Sequence, residues 1–516
     1  MTADGRADSG AAWDAAFDVV VVGYGAAGAV AAIEAADAGA RVLVLEKSAD
    51  PGGISILSSG GIRVCLDVDS GYRYLRATCG GRTPDDVLLA LAEGMAEMPD
   101  YVRRLAEING ADIQVVPSPG NYPLPGGDAL ALVDVAAIPG FDAAAEYPAV
   151  RPVRPGCRLF KLLDDNVKRR SIPVWMSAPA GRLLRAPSGE ITGVRALRDG
   201  QAISVRAARA VILTCGGFEA DEEMKRQYLP AGPVLCGSYR GNTGDGIRMA
   251  QQAGAALWHM WHCHGPYGFR HPDPAYPFGI YVKLLPMWTP ARRARTLPRM
   301  AWIVVDQTGQ RYVDEYQPYL SDTGVRQFDH FDPKTWRHPR LPSFIIFDEA
   351  GRTQYAMGRS VTNDREAHYE WSNDNLAEVD NGILKRADTI EGLAGMLGLN
   401  AAALVASVER WNAQCDAAHD GDFGRTPETM MALRTPPYYG GELWPVAINT
   451  HGGPVHNAQQ QVLDPWGTPV PRLYAAGELG GVFGHIYLAG GNLAECFVGG
   501  RNAARHAAGL ANRPRD

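Results

Sequence analysis

The stretch that most constrains this chain is Phe17–Glu46, FDVVVVGYGAAGAVAAIEAADAGARVLVLE. It reads as strand, tight turn, helix and second strand. Val19 to Val22 is an unbroken β-branched run, the pattern of a parallel strand buried on both faces. Gly23, Gly25 and Gly28 then place GxGxxG at the strand-to-helix turn. The first glycine permits the turn, the second lets backbone approach a pyrophosphate, and the third lets the helix pack close to the strand. The helix start, at Ala26 and Ala27, offers unpaired N–H groups and a partial positive charge to phosphates. The second strand, Arg41 to Leu45, ends at Glu46, whose carboxylate is expected to accept hydrogen bonds from ribose hydroxyls and to disfavour a 2′-phosphate. Strand, turn, helix, strand and acid together predict dinucleotide binding; the motif alone does not choose between NAD and FAD.

Later segments supply further walls for such a site. Pro51 to Val64, PGGISILSSGGIRV, carries two double-glycine turns, Gly52-Gly53 and Gly60-Gly61, with Ser58 and Ser59 between them. Following Glu46 so closely, this segment is expected to wrap the pyrophosphate and run under a flat ring. Residues 172–209 read as a strand meander leading into Ala210 to Phe218, AVILTCGGF, a buried strand with a double glycine. GNTGDG, Gly241 to Gly246, opens a helix expected over Ile247 to Ala253, with Thr243 and Asp245 as caps. RLYAAGELGG, Arg472 to Gly481, repeats the order of buried strand, glycine and acid, and the last helix is expected from about Asn492 to Ala507. Near residue 265 the composition turns proline-rich and aromatic. The resulting division is a loose tail (1–16), a nucleotide-binding domain in two parts (17–266 and 441–516), and an inserted domain (267–440).

At 516 residues the chain is long enough for two cores, and 46% hydrophobic with 21% charged residues suits a globular enzyme. Apolar runs are strand-sized, so no membrane span is expected. The small, acidic first residues lack the positive start and apolar middle of a secretory signal, and a cytoplasmic location is expected. A formal net charge of −7 gives no basic field for nucleic acid. The eight cysteines are scattered without a CxxC pair, so no disulfide frame or metal site is expected. Trp258 to His264 is the richest aromatic and imidazole cluster. Its His259 and His262 are spaced to share a helix face, but no partner recurs at metal-ligand spacing.

Residues 17–64, 210–218, 241–253, 310–319, 450–453 and 472–505, taken in order, resemble the fumarate reductase and 3-ketosteroid dehydrogenase flavoproteins. The resemblance implies an α/β fold, a Rossmann-type doubly wound FAD-binding domain interrupted by an α+β catalytic cap. It implies FAD contacts at Gly23, Gly25, Ala26, Ala27, Gly28, Glu46, Lys47, Gly52, Gly53, Ser58, Ser59, Gly60 and Gly61. Further contacts are implied at Ala178, Cys215, Gly216, Gly217, Asn242, Asp245, Gly477, Glu478, Asn492 and Leu493. No histidine stands in Ser55 to Ser59, where some relatives attach flavin covalently, so the resemblance implies noncovalent FAD.

Within that family the fumarate reductases fix carboxylates with arginines and a histidine. Here Tyr319, Asn449 and the Tyr487-Leu488 pair stand at those positions. The match is closer to the ketone dehydrogenases. Tyr122 in the loop PSPGNYPLPGG, Tyr319 after the RYVDE run, and Tyr487 with Gly491 resemble that group's functional positions. The implied chemistry is desaturation beside the carbonyl of a cyclic ketone, a 3-ketosteroid or smaller. Tyr319 would take the α-proton with Tyr122 stabilising its anion, while the Tyr487 hydroxyl and Gly491 N–H would hold the ketone oxygen. His485, His262 and Trp261 are expected in the substrate pocket. The expected partners are a small-molecule ketone and an external electron acceptor of unspecified kind. The alternatives are an ene-reductase running the same half-reaction backwards, and a flavin redox protein without turnover.

Overall fold

The computed structural model describes residues 13–283, 299–316 and 320–509. Two eight-stranded sheets organise it. The first has the path Gln461–Leu463, Pro469–Ala475, Gln201–Leu213, Ala15–Val22, Val42–Leu45, Val174–Trp175. Its centre is parallel: Val19–Val22 runs in register beside Ala210–Leu213 on one side and Val42–Leu45 on the other. Val19, Val20 and Val21 are wholly buried, as their unbroken apolar run requires. The meander expected before residue 210 is present as Ala180–Arg185, Ile191–Arg198 and Gln201–Leu213, paired antiparallel.

The helix Ala26–Asp37 lies on this sheet because its contact face is nearly all alanine and glycine. A Cβ on Gly28 would stand 2.0 Å from the Gly23 carbonyl oxygen, and one on Gly23, at φ +108°, would stand 2.4 Å from the Thr214 carbonyl. On its other side it meets the last helix, Gly491–Ala508, where a Cβ on Gly500 would stand 2.8 Å from the Ala27 oxygen. Three layers are thus drawn together by missing side chains.

The second sheet has the path Trp302–Val305, Ser343–Asp348, Tyr438–Ala447, Tyr267–Arg270, Gly279–Val282, Gly358–Arg359, with antiparallel neighbours. Its strand Tyr438–Ala447 runs across the expected 440/441 end of the inserted domain, because its backbone pairing continues there. The helix Ala401–Asp416 packs its buried Leu404, Val408 and Trp411 beneath this sheet. Among the described residues no helix is long and apolar enough to cross a membrane.

The RYVDE run anchors the second sheet. Glu315 accepts hydrogen bonds from Arg311 at 2.8 and 2.7 Å, from the Val304 amide at 2.9 Å and from Arg425 at 3.3 Å. Arg425, also fully buried, donates to the backbone oxygens of Trp302, Met300 and Thr429. Asp420 takes a further bond from Arg311 at 2.8 Å. A buried ion cluster is tolerable when its opposite charges compensate each other, as Glu315 and Asp420 do for the two arginines. Glu315→Ala, leaving two guanidinium groups undercompensated, is expected to lower stability by about 3–5 kcal/mol, read as a shifted urea midpoint.

Candidate active site

One cavity of about 440 Å³ lies among the glycine-rich turns of the first sheet and reaches the second. That is the range of small-molecule and cofactor sites. Its floor is the strand-to-helix turn Gly23–Ala27. The helix has no side-chain cap, and the Ala26 N–H meets only the Ser55 hydroxyl at 3.1 Å. Glu46 lines the next wall, its carboxylate held by the Tyr24 amide at 2.8 Å and the Ser48 amide at 2.7 Å, with burial raising its pKa. Lys47 donates to Thr243 at 2.7 Å and Asp245 at 2.6 Å. These two residues therefore do not cap the following helix, Asp245–Gln252, which begins after Gly244 without a side-chain cap.

Glu219 and Glu478 face each other beside the cavity. Asn242 donates to both, at 2.7 and 3.2 Å, and the Thr450 amide donates to Glu478 at 3.0 Å. Burial first, then the like charge of Glu478, pushes the Glu219 pKa upward, and burial raises Glu478 likewise. Only glycine fits at 217, where a Cβ would meet the Thr450 hydroxyl at 2.0 Å.

Tyr487 marks the other end. It stacks on His264 with centroids 4.1 Å apart, and both side chains line the cavity. Its hydroxyl accepts the Asn492 N–H at 3.3 Å, and burial holds its pKa well above the ordinary tyrosine value. The loop carrying it is pinned from three sides. Asp322 accepts the Tyr487 amide at 2.9 Å, Asn121 accepts the Ala489 amide at 2.8 Å, and Arg63 donates to the Ala489 oxygen at 2.7 Å. Asp322 also accepts the Tyr122 hydroxyl at 2.5 Å, while His262 Nε2 stands 3.5 Å from its second oxygen. Burial works to raise the Asp322 pKa, but His262, the Arg326 charge and the Tyr122 hydroxyl outweigh it and hold the carboxyl below its ordinary value.

Of the residues expected at the site, Gly23, Gly25, Ala26, Ala27, Glu46, Lys47, Gly53, Ser58 and Ser59 line the cavity. So do Cys215, Gly216, Asn242, Asp245, Glu478, Asn492, Leu493 and Tyr487. Gly28, Gly52, Gly60, Gly61, Ala178, Gly217 and Gly477 sit behind that wall and shape it; the Ala178 amide, for instance, donates to the Glu46 oxygen at 2.7 Å. Tyr319 lies outside the described residues. Tyr122 does not reach the cavity wall, because Asp322 holds its hydroxyl. Gly491 starts the last helix with its N–H already donated to Leu488 at 2.7 Å, and a Cβ there would strike the Phe483 ring at 2.4 Å.

The pocket histidines are placed differently from expectation. His485 is exposed and packs beside Gly80, His262 stacks on His451 behind Tyr487, and Trp261 is sandwiched by Arg82 and Arg326 at 5.0 and 5.1 Å. None of these three lines the cavity; His264 does. His259 has φ +54° in a turn between short strands, so it shares no helix face with His262. Asp322 and His264 escaped the sequence reading, since a lone acid and one histidine in a cluster carry no spacing signal. Among the described residues, no group of three or more His, Cys, Asp or Glu could hold a metal ion.

Residues 18–493 match the FAD binding domain family. The chain belongs to that family. FAD is accordingly its cofactor, and it is an FAD-dependent oxidoreductase. The residues fit: an uncapped helix start faces the cavity, glycines stand where a Cβ could not, and both polar side-chain atoms of half-buried Asn492 are shielded from solvent and lack a partner among the described residues. The chain is 28% identical to a 3-oxosteroid 1-dehydrogenase of Mycobacterium tuberculosis over 96% of its own length and 99% of that protein's. It is equally identical to a vinyl phenol reductase of Lactiplantibacillus plantarum, over 95% and 96%. In structure it resembles the 3-ketosteroid delta1-dehydrogenase of Sterolibacterium denitrificans, solved with 1,4-androstadiene-3,17-dione. The TM-score is 0.79 at 25% identity, covering 96% of this chain and 99% of that one.

Glu495, fully buried behind Tyr487, accepts the Val482 amide at 2.5 Å, and burial pushes its pKa up to about 8. A carboxyl raised in the folded state gives stability that is complete below its ordinary pKa and is lost as pH rises toward the folded value. Unfolding free energy should therefore fall between roughly pH 4.3 and pH 8, by about 1.4 kcal/mol per pH unit at most, read as a falling melting temperature. Glu495→Gln is expected to flatten that slope.

Proposed function

We propose that this oxidoreductase desaturates the bond beside the carbonyl of a cyclic ketone of 3-oxosteroid type. The observation that carries the reading is Tyr487: a phenol kept protonated by burial, set in the cavity wall on a loop pinned by Asp322, Asn121 and Arg63. The names of the dehydrogenase relatives support the substrate class.

Removing two hydrogens next to a ketone requires a donor for the carbonyl oxygen, a base for the α-proton and an acceptor for the β-hydride. Tyr487 donates to the ketone oxygen as it gains enolate charge; one such donor is typically worth about 3 kcal/mol at the transition state. The Gly491 N–H belongs to the turn that starts the last helix, so its part is steric: it leaves room for Phe483 and for the loop's tight path. Tyr319 takes the α-proton. It stands two residues before Ser321, which lines the cavity, and three before Asp322. Asp322 acts as a positioning residue, because its ionised carboxylate ties the Tyr122 loop and the Tyr487 loop to its own segment. FAD, when bound, supplies the hydride acceptor, and the missing histidine in Ser55 to Ser59 leaves it noncovalent.

Anaerobic mixing of the oxidised enzyme with 3-oxosteroids should bleach the flavin band. Tyr487→Phe should retain yellow protein yet lose about 100-fold in kcat, and Asp322→Asn should lower kcat with flavin content intact. Failure of every ketone to bleach the flavin, together with rapid reoxidation of the dithionite-reduced enzyme by an enone, would reverse the direction assigned.

A further inference from the structure

The sequence reading finds no arginine at the positions where fumarate reductases bind carboxylates, but the cavity has two arginines from elsewhere. Arg154 precedes the helix Gly156–Arg169 and donates through Nε to the Leu57 oxygen at 3.3 Å. Arg359 comes from the second sheet, opposite Tyr281 on the neighbouring strand. Both line the cavity beside Leu57, Ser58 and Val361. Neither forms an ion pair with a carboxylate among the described residues, and the buried Nε of Arg359 has no hydrogen-bond partner among them. Burial lowers the pKa of each guanidinium, and the charge of Arg154 lowers that of Arg359 further.

This arrangement is costly as it stands. Charges withdrawn from water are ordinarily paired, and the buried Arg311 and Arg425 do meet carboxylates. Two adjacent guanidinium groups in a cavity wall, five donors each and no counter-charge, are matched by an anion with several oxygens that enters the cavity. The anion could belong to the substrate or to the dinucleotide. The phosphates already have the uncapped start of Ala26–Asp37 on the first sheet, whereas Arg359 is brought by the second sheet.

We propose that Arg154 and Arg359 form an anion subsite for a carboxylate carried by the ketone substrate. The substrate is then a cyclic keto acid. This deepens the dehydrogenase reading and rests on it for the ketone, though not for the anion.

The test is calorimetric titration of the oxidised holoenzyme with a 3-oxosteroid bearing a side-chain carboxylate and with its methyl ester. The acid is expected to bind about 10- to 100-fold more tightly than the ester. Arg359→Gln and Arg154→Gln should each bring that ratio to within about threefold, with Arg359→Lys restoring part of it. Equal binding of acid and ester by the unaltered enzyme overturns the proposal. So does loss of FAD from the Gln variants, which would assign the arginines to the dinucleotide phosphates. Arginine-dependent binding of an acid that neither bleaches nor reoxidises the flavin would retain the subsite and remove the dehydrogenase reading.

Discussion

Backbone meeting backbone at the end of one strand is the constraint on which this molecule depends. Gly28 touches the Gly23 carbonyl and Gly23 touches Thr214, distances that no side chain permits. That contact sets the helix Ala26–Asp37 down on the sheet with its amides facing the cavity. It also leaves the other helix face thin enough for the C-terminal helix to approach at Gly500. Since that last helix begins directly after the Tyr487 loop, the same packing that builds the floor of the cavity also locates Tyr487 in its wall. The two ends of the cavity are consequently parts of one packing solution.

What the sequence reveals well is whatever has a local signal. The Phe17–Glu46 unit appears as read, and so does the last helix, because period and glycine spacing are properties of short stretches. The Tyr438–Ala447 strand crosses an expected boundary because its partners, Ser343–Asp348 and Tyr267–Arg270, are far away in sequence. Partnerships of polar groups are equally nonlocal. Thr243 and Asp245 look like helix caps until Lys47 is known to lie beside them, and Tyr122 looks like a loop aromatic until Asp322 is found at its hydroxyl. Arg154 and Arg359 stand about 200 positions apart, and no spacing rule joins them.

The second sheet shows a division of labour within a single motif. In the RYVDE run, Arg311 and Glu315 are spent on a buried ion cluster with Arg425 and Asp420, so those charges face the interior of the sheet. Further along the chain, Ser321 lines the cavity and Asp322 accepts the Tyr487 amide. A buried electrostatic knot thus stands a few positions before Ser321 in the sequence.

The three clamps on the loop after His485 have a kinetic meaning. A tyrosine whose own amide, and whose neighbour's amide and carbonyl, are already bound to Asp322, Asn121 and Arg63 has little conformational freedom left to surrender when a ligand arrives. The entropic penalty of ordering the recognition loop was met when the polypeptide folded, so a docking molecule's contacts go to discrimination rather than to organising its receptor.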